Sequence, residues 1–142
     1  MLFDSWAGVL PPSLFRAYVV QPTRQIITAL AVRFPACKTI AFPRRSGLML
    51  DEYATTTGAA CIGLDTSTDP HAACHLIPPS IALQGNLDPL ALAAGGSALQ
   101  SETSAILDAM KNRLFIFNLG HGVVPETPPE HVTRLVELVR GA

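Results

Sequence analysis

Five short runs of adjacent apolar residues constrain this chain more than any other feature of its sequence. They are Leu2–Ser5, Thr39–Phe42, Cys61–Leu64, Ile81–Gly85 and Phe115–Leu119. Each is short for a helix, and each is apolar on consecutive positions rather than alternate ones. A strand with one wet face alternates. A strand buried on both faces does not, and such strands belong to parallel sheets covered by helices. Parallel neighbours also need long crossovers between them, and helical signals fill most of the gaps here.

Ser13 is placed to cap a helix carrying Leu14, Phe15, Tyr18 and Val19. Pro22 breaks that run and can open a second helix. The second helix sets Ile26, Ile27, Leu30 and Phe34 near one face, with Arg24 and Arg33 outward. Met49–Thr57 reads as a third, closed by Gly58, and Ser97–Met110 as a longer one with Leu99, Ile106, Leu107 and Met110 apolar. Thr127-Pro128-Pro129 marks a helix start with Glu130 in the first turn, and Val132, Leu135, Val136 and Val139 follow at helical spacing. Strand alternating with helix predicts an α/β fold with a parallel sheet, as one domain over residues 1–142.

In such folds the reactive groups stand just past the carboxyl ends of the strands. That rule selects Asp4-Ser5-Trp6, Pro43-Arg44-Arg45, Asp65, Gly85-Asn86-Leu87-Asp88 and Asn118-Leu119-Gly120-His121-Gly122. His121 lies between two glycines that let the backbone turn close to a ligand. It is either a donor or proton shuttle at a site or a surface histidine in a tight loop. Ser5 is either a ligand contact or a structural hydroxyl, and no GxSxG setting marks it as a nucleophile. Arg44 and Arg45 either grip an anion or lie in solvent. Asn86 and Asp88 either bind a polar group or form the turn that caps a helix at Pro89. No strand-to-helix turn carries a nucleotide-binding glycine fingerprint.

Composition narrows the partner classes. Lys+Arg is 10 and Asp+Glu 11, for a net charge of -1, which disfavours nucleic acid. Apolar stretches are interrupted well short of the roughly 20 residues of a membrane span, and Met1-Leu2-Phe3-Asp4-Ser5 has no basic leader segment. Cys37, Cys61 and Cys74 are odd in number with no CxxC spacing, which fits a reducing compartment. His71, Cys74 and His75 share a helical face but lack a carboxylate partner, so no metal site is expected. Only 15% of the 142 residues are charged, against about 25% in an average domain. A closed (β/α)₈ barrel takes about 250 residues, more than this chain supplies.

Three segments together resemble one family. They are Leu2-Phe3-Asp4-Ser5-Trp6-Ala7-Gly8, Leu83-Gln84-Gly85-Asn86-Leu87-Asp88-Pro89 and Phe117-Asn118-Leu119-Gly120-His121-Gly122, the last continuing through Val123-Val124-Pro125-Glu126-Thr127-Pro128-Pro129-Glu130. Their residues, order and spacing resemble the C-terminal part of uroporphyrinogen decarboxylase over essentially the whole chain. Two positions depart: Asp65-Thr66 stands where the family often has Asp-Trp, and Arg45 where it commonly has Gly.

The resemblance implies the C-terminal portion of a (β/α)₈ barrel, about five parallel strands with intervening helices, which this chain alone cannot close. It implies a cytoplasmic carboxy-lyase, a homodimer at full length, acting on uroporphyrinogen III without metal or organic cofactor. Carried over by motif, Ser5 and His121 are expected to bind substrate and Phe3 to form an apolar wall of the cleft. The family's catalytic aspartate and carboxylate-binding arginines are expected upstream of Met1, so no catalytic residue is assigned here and the isolated chain is expected to be inactive. Two rivals remain. One is a corrinoid- or folate-linked methyltransferase with the same barrel; the other is a non-catalytic half barrel that associates with a partner half.

Overall fold

All five predicted strands form in the computed structural model, which describes residues 1–141. They are β1 (Leu2–Asp4), β2 (Ile40–Pro43), β3 (Cys61–Gly63), β4 (Ala82–Leu87) and β5 (Phe115–Leu119). They lie in one parallel sheet in chain order. The register pairs Phe3 with Phe42, Ile40 with Cys61, Ile62 with Leu83 and Gly85 with Phe117. β4 runs two residues past the predicted end, because Asn86 and Leu87 pair with Asn118 and Leu119.

Strand order without reversal has a consequence for layering. Each right-handed crossover returns the chain to the next position, so successive helices collect on one face. A doubly wound sheet would instead reverse direction at a switch point. The other face is left to the strands' own side chains, as the inner wall of a barrel is.

The helices are α1 (Pro12–Phe15), α2 (Gln21–Arg33), α3 (Leu50–Thr57), α4 (Pro70–Leu76), α5 (Pro89–Ala94), α6 (Gly96–Met110) and α7 (Pro129–Arg140). Asp69 and Asp88 cap α4 and α5 by accepting from the His71 and Leu90 amides, each followed by a proline that needs no amide partner. Gly58, at φ +77, ends α3 in the left-handed conformation that glycine adopts at no steric cost.

Three local expectations need correction. Ser13 lies inside the first turn of α1, and Pro11 takes the cap position. Pro22 does not break the chain: α1 passes into α2 through a π turn at Arg16–Val20, where the Gln21 amide donates to the Arg16 carbonyl five residues back. The wider turn relieves the clash that a proline ring makes with an α-helical carbonyl. At the last helix Pro128, not Thr127, takes the cap position.

The core lies between sheet and helices. Ile62, Leu64, Leu83 and Leu87 meet Phe15, Tyr53, Leu92, Leu99, Ile106 and Met110, all fully or nearly buried. Each such Leu or Ile contributes roughly 1.5–3 kcal/mol. Burial on both faces holds for the central strands and not for the edges. On β5, Phe115, Phe117 and Leu119 are half-buried, while Ile116 and Asn118 are exposed on the opposite face. Phe3 on β1 is 70% exposed. The α7 stripe shows the same edge effect: Leu135 is buried, but Val132 and Val136 stay exposed because no strand among the described residues lies beyond β5.

Candidate functional site

The inner face of the sheet opens into a cavity of about 240 Å³ at the carboxyl ends of the strands. Phe3, Ser5 and His121 all line it, though they come from opposite ends of the chain and opposite edges of the sheet. Its aromatic wall is Phe3 on Phe42, edge to face with ring centroids 6.1 Å apart. Gly63 makes room for that wall, since a Cβ there would stand 2.7 Å from the Phe42 ring. A larger depression of about 810 Å³ is a groove on the outer face of α2 alone, away from every strand end.

Ser5 is presented by a tight turn in which the Trp6 amide donates to the Asp4 carboxylate at 3.2 Å. His121 follows Gly120, whose amide donates to the Leu87 carbonyl at 2.9 Å. Ser5 and His121 share the cavity with no hydrogen bond between them among the described residues, so Ser5 is not held as an activated nucleophile.

One polar lining residue, Gln84, escaped the sequence reading, and a second, Asn118, lay in a selected strand-end run without being given a role of its own. Gln84 on β4 and Asn118 on β5 bring amide groups to the cavity, and the Gln84 Oε1 atom is buried without a partner among the described residues. The available signal was a polar residue inside an otherwise apolar strand, which is more informative than any exposed one.

Other strand-end candidates have structural work. Asp88 caps α5. Asn86 is buried, and its Nδ2 donates to the carbonyls of Asp65 and Thr68 at 2.9 and 2.6 Å. Arg44 and Arg45 do not line the cavity; their backbone serves instead, the Arg44 carbonyl accepting from Gly8 and its amide donating to Asp4. Arg45 sits at φ 59, in the region that favours glycine. On α4, His71 and His75 are exposed, while Cys74 turns inward to the Ala109 carbonyl. Among the described residues no three His, Cys, Asp or Glu side chains gather as metal ligands would.

The cavity thus combines aromatic faces with the hydrogen-bonding side chains of Ser5, Gln84, Asn118 and His121. Parallel strands in sequential order, helices on one side and a site at the carboxyl ends define a segment of a (β/α)-barrel enzyme. A family model described as "Uroporphyrinogen decarboxylase (URO-D)" matches residues 1–142, and the chain belongs to that family. The uroporphyrinogen decarboxylase of Granulibacter bethesdensis is 55% identical over 140 residues, which is 99% of this chain and 41% of the relative. That of Gluconacetobacter diazotrophicus is also 55% identical, over 99% of this chain and 40% of the relative. The chain therefore spans about 40% of the length of the curated relatives it matches. No helix among the described residues is long and apolar enough to cross a membrane.

Proposed function

We propose that residues 1–142 act as one partial barrel domain and form the Ser5–His121 wall of a uroporphyrinogen decarboxylase cleft. The reaction removes carboxyl groups from the acetate side chains of uroporphyrinogen III, giving coproporphyrinogen III for haem synthesis. The observation that supports this most directly is the convergence of Phe3, Ser5 and His121 on one cavity, in a chain whose family match runs end to end.

The chemistry fits those groups. Protonation makes a pyrrole ring an electron sink. The electrons of the bond to the carboxylate pass into it as CO₂ leaves, and a proton then completes the methyl group. Phe3 and Phe42 face the macrocycle and keep water from its rings. Ser5 and His121 donate to its carboxylates, and Gln84 adds a neutral amide. Among the described residues the cavity lining holds no guanidinium and no carboxylate, and in this reading charge stabilisation of the cationic ring falls to the aspartate and arginines that the resemblance implies upstream. The same proposal includes a cytosolic homodimer that uses no cofactor and engages neither nucleic acid nor membrane.

The methyltransferase reading finds little support, because Cys37, Cys61 and Cys74 precede β2, begin β3 and lie on α4, away from His121. The half-barrel reading is compatible with the first. β1 and β5 are both open edges, and Phe3 and Ile116 present apolar surface beside them. The test is to assay the purified chain for coproporphyrinogen formation, alone and with a complementary N-terminal half. No turnover alone and turnover on mixing is the expected result. Full-enzyme activity from the chain by itself would defeat the view that it supplies one wall of the site.

A further inference from the structure

We infer that Asp65 is the positioning residue that sets the Ser5 loop and the His121 loop at their working separation; this rests on reading those two loops as the site. Asp65 lies just past β3, in the middle of the sheet, and does not line the cavity. Its side chain is nonetheless 5% exposed and committed on both oxygens. Oδ2 accepts from the Arg45 amide at 2.5 Å. Oδ1 accepts from the Ser67 amide at 2.7 Å and the Ser67 hydroxyl at 2.5 Å. A carboxylate suits this place because it offers acceptors alone to three converging donors.

Each oxygen leads to one side of the site. Through Oδ2, Asp65 holds the Arg44-Arg45 turn with Arg45 in left-handed backbone. That turn seats the Ser5 loop: Arg44 donates to the Asp4 carbonyl and accepts from the Gly8 amide, both at 3.0 Å. The contact is close enough that any Cβ on Gly8 would run into the Arg45 carbonyl. Through Oδ1, Asp65 holds Ser67 and so places Thr66. Thr66 seats the His121 loop, since a Cβ on Gly120 would lie 2.6 Å from the Thr66 amide and 2.9 Å from the Asn86 carbonyl. Asn86 is itself fixed by the Asp65 carbonyl. One buried side chain thus connects two loops on opposite edges of the sheet through backbone contacts that leave little slack.

The test is Asp65→Asn, which keeps the shape but turns an NH₂ toward one of the donor sets. Amide exchange is read by NMR in the ligand-free chain, at Gly8 and Gly120, with Leu83 in the sheet as the internal control. Exchange at Gly8 and Gly120 is expected to rise about tenfold with Leu83 unchanged, and the His121 ring signals are expected to move. A general loss of stability would speed Leu83 as well and leave the ratio unaltered. Ser67→Ala, which removes a single donor, is the milder companion should the first variant unfold. It should loosen Gly120 and leave Gly8 as it was. Wild-type exchange at either glycine in Asp65→Asn, or an unaltered Gly120 in Ser67→Ala, would overturn the inference. Affinity for uroporphyrin III, the oxidised fluorescent ring, is measured alongside and is expected to fall about tenfold in Asp65→Asn. A wild-type chain that binds no uroporphyrin even when mixed with the complementary N-terminal half, while the glycine amides respond as described, would defeat the functional reading and sustain the positioning role.

Discussion

At the carboxyl ends of the strands the buried Asp65 carboxylate collects amides, whereas at the amino ends the half-buried Arg113 guanidinium collects carbonyls. Arg113 donates to Ile77, Pro78 and Ile81 at 3.1–3.2 Å, and so ties the segment leading into β5 to the one leading into β4. Both residues do the same mechanical work: one charged group satisfies several backbone groups that the loops leave unpaired. Only the Asp65 end carries the cavity. A break at one end should therefore lower stability and ligand affinity together, and a break at the other should lower stability alone.

The largest effect belongs at the Asp65 end. Gly8→Ala puts a methyl group into the Arg45 carbonyl, and no flexible side chain can give way there. The expected loss is about 3 kcal/mol or more, read from the urea midpoint. Gly122→Ala is the control, because a Cβ there meets nothing within 4 Å. Equal midpoints for the two variants would show that the Ser5 loop is not seated as tightly as the contact implies.

Arg113→Met comes next. It removes the donors to three carbonyls while keeping much of the side-chain volume, at an expected cost of about 2–3 kcal/mol. Uroporphyrin affinity, measured where both proteins are folded, should stay within about twofold of wild type. A loss of affinity comparable to that of Asp65→Asn would collapse the distinction between the two ends.

The same contrast explains what could be read in the sequence. The strands were legible because burial on both faces leaves a local mark, a run of adjacent apolar residues such as Cys61–Leu64. Helix ends were legible where one side chain decides them, as at Asp88-Pro89 and Gly58. They were not legible where the backbone found another solution, as in the π turn before Pro22. Ser5, His121 and Phe3 could be selected by motif, and the structure brings them into one cavity. Gln84 was missed, and Asn118 was selected only as part of a strand-end run, because facing the cavity depends on strand orientation rather than residue type. Asp65 stood at a strand end in the sequence, but its partners Arg45 and Asn86 lie 20 and 21 positions away. No local pattern reveals such a hub.

The smallest effect concerns β3 itself, which has Cys61 at its amino end and Asp65 just past its carboxyl end. Burial pushes the Cys61 thiol from an ordinary 9.0 up to about 11, since a thiolate there would lack solvation. Between those values the unfolded chain has released a proton that the folded chain keeps. Stability is therefore fully present below pH 9 and declines as pH rises toward 11. The decline at pH 10 should be at most about 1 kcal/mol, and less where solvent screens the thiolate. Burial also raises the Tyr53 phenol above its ordinary 10.0, with its hydrogen bond to Thr23 opposing that shift, so a second decline of the same sign begins about one unit higher. Melting temperatures taken from pH 8 to 11 should fall along this curve. Cys61→Ala should remove the first part of the slope and leave the Tyr53 part. Asp65→Asn should shift the whole curve down without changing its shape. A curve flattened by Asp65→Asn and untouched by Cys61→Ala would place the alkaline sensitivity at the wrong end of the strand.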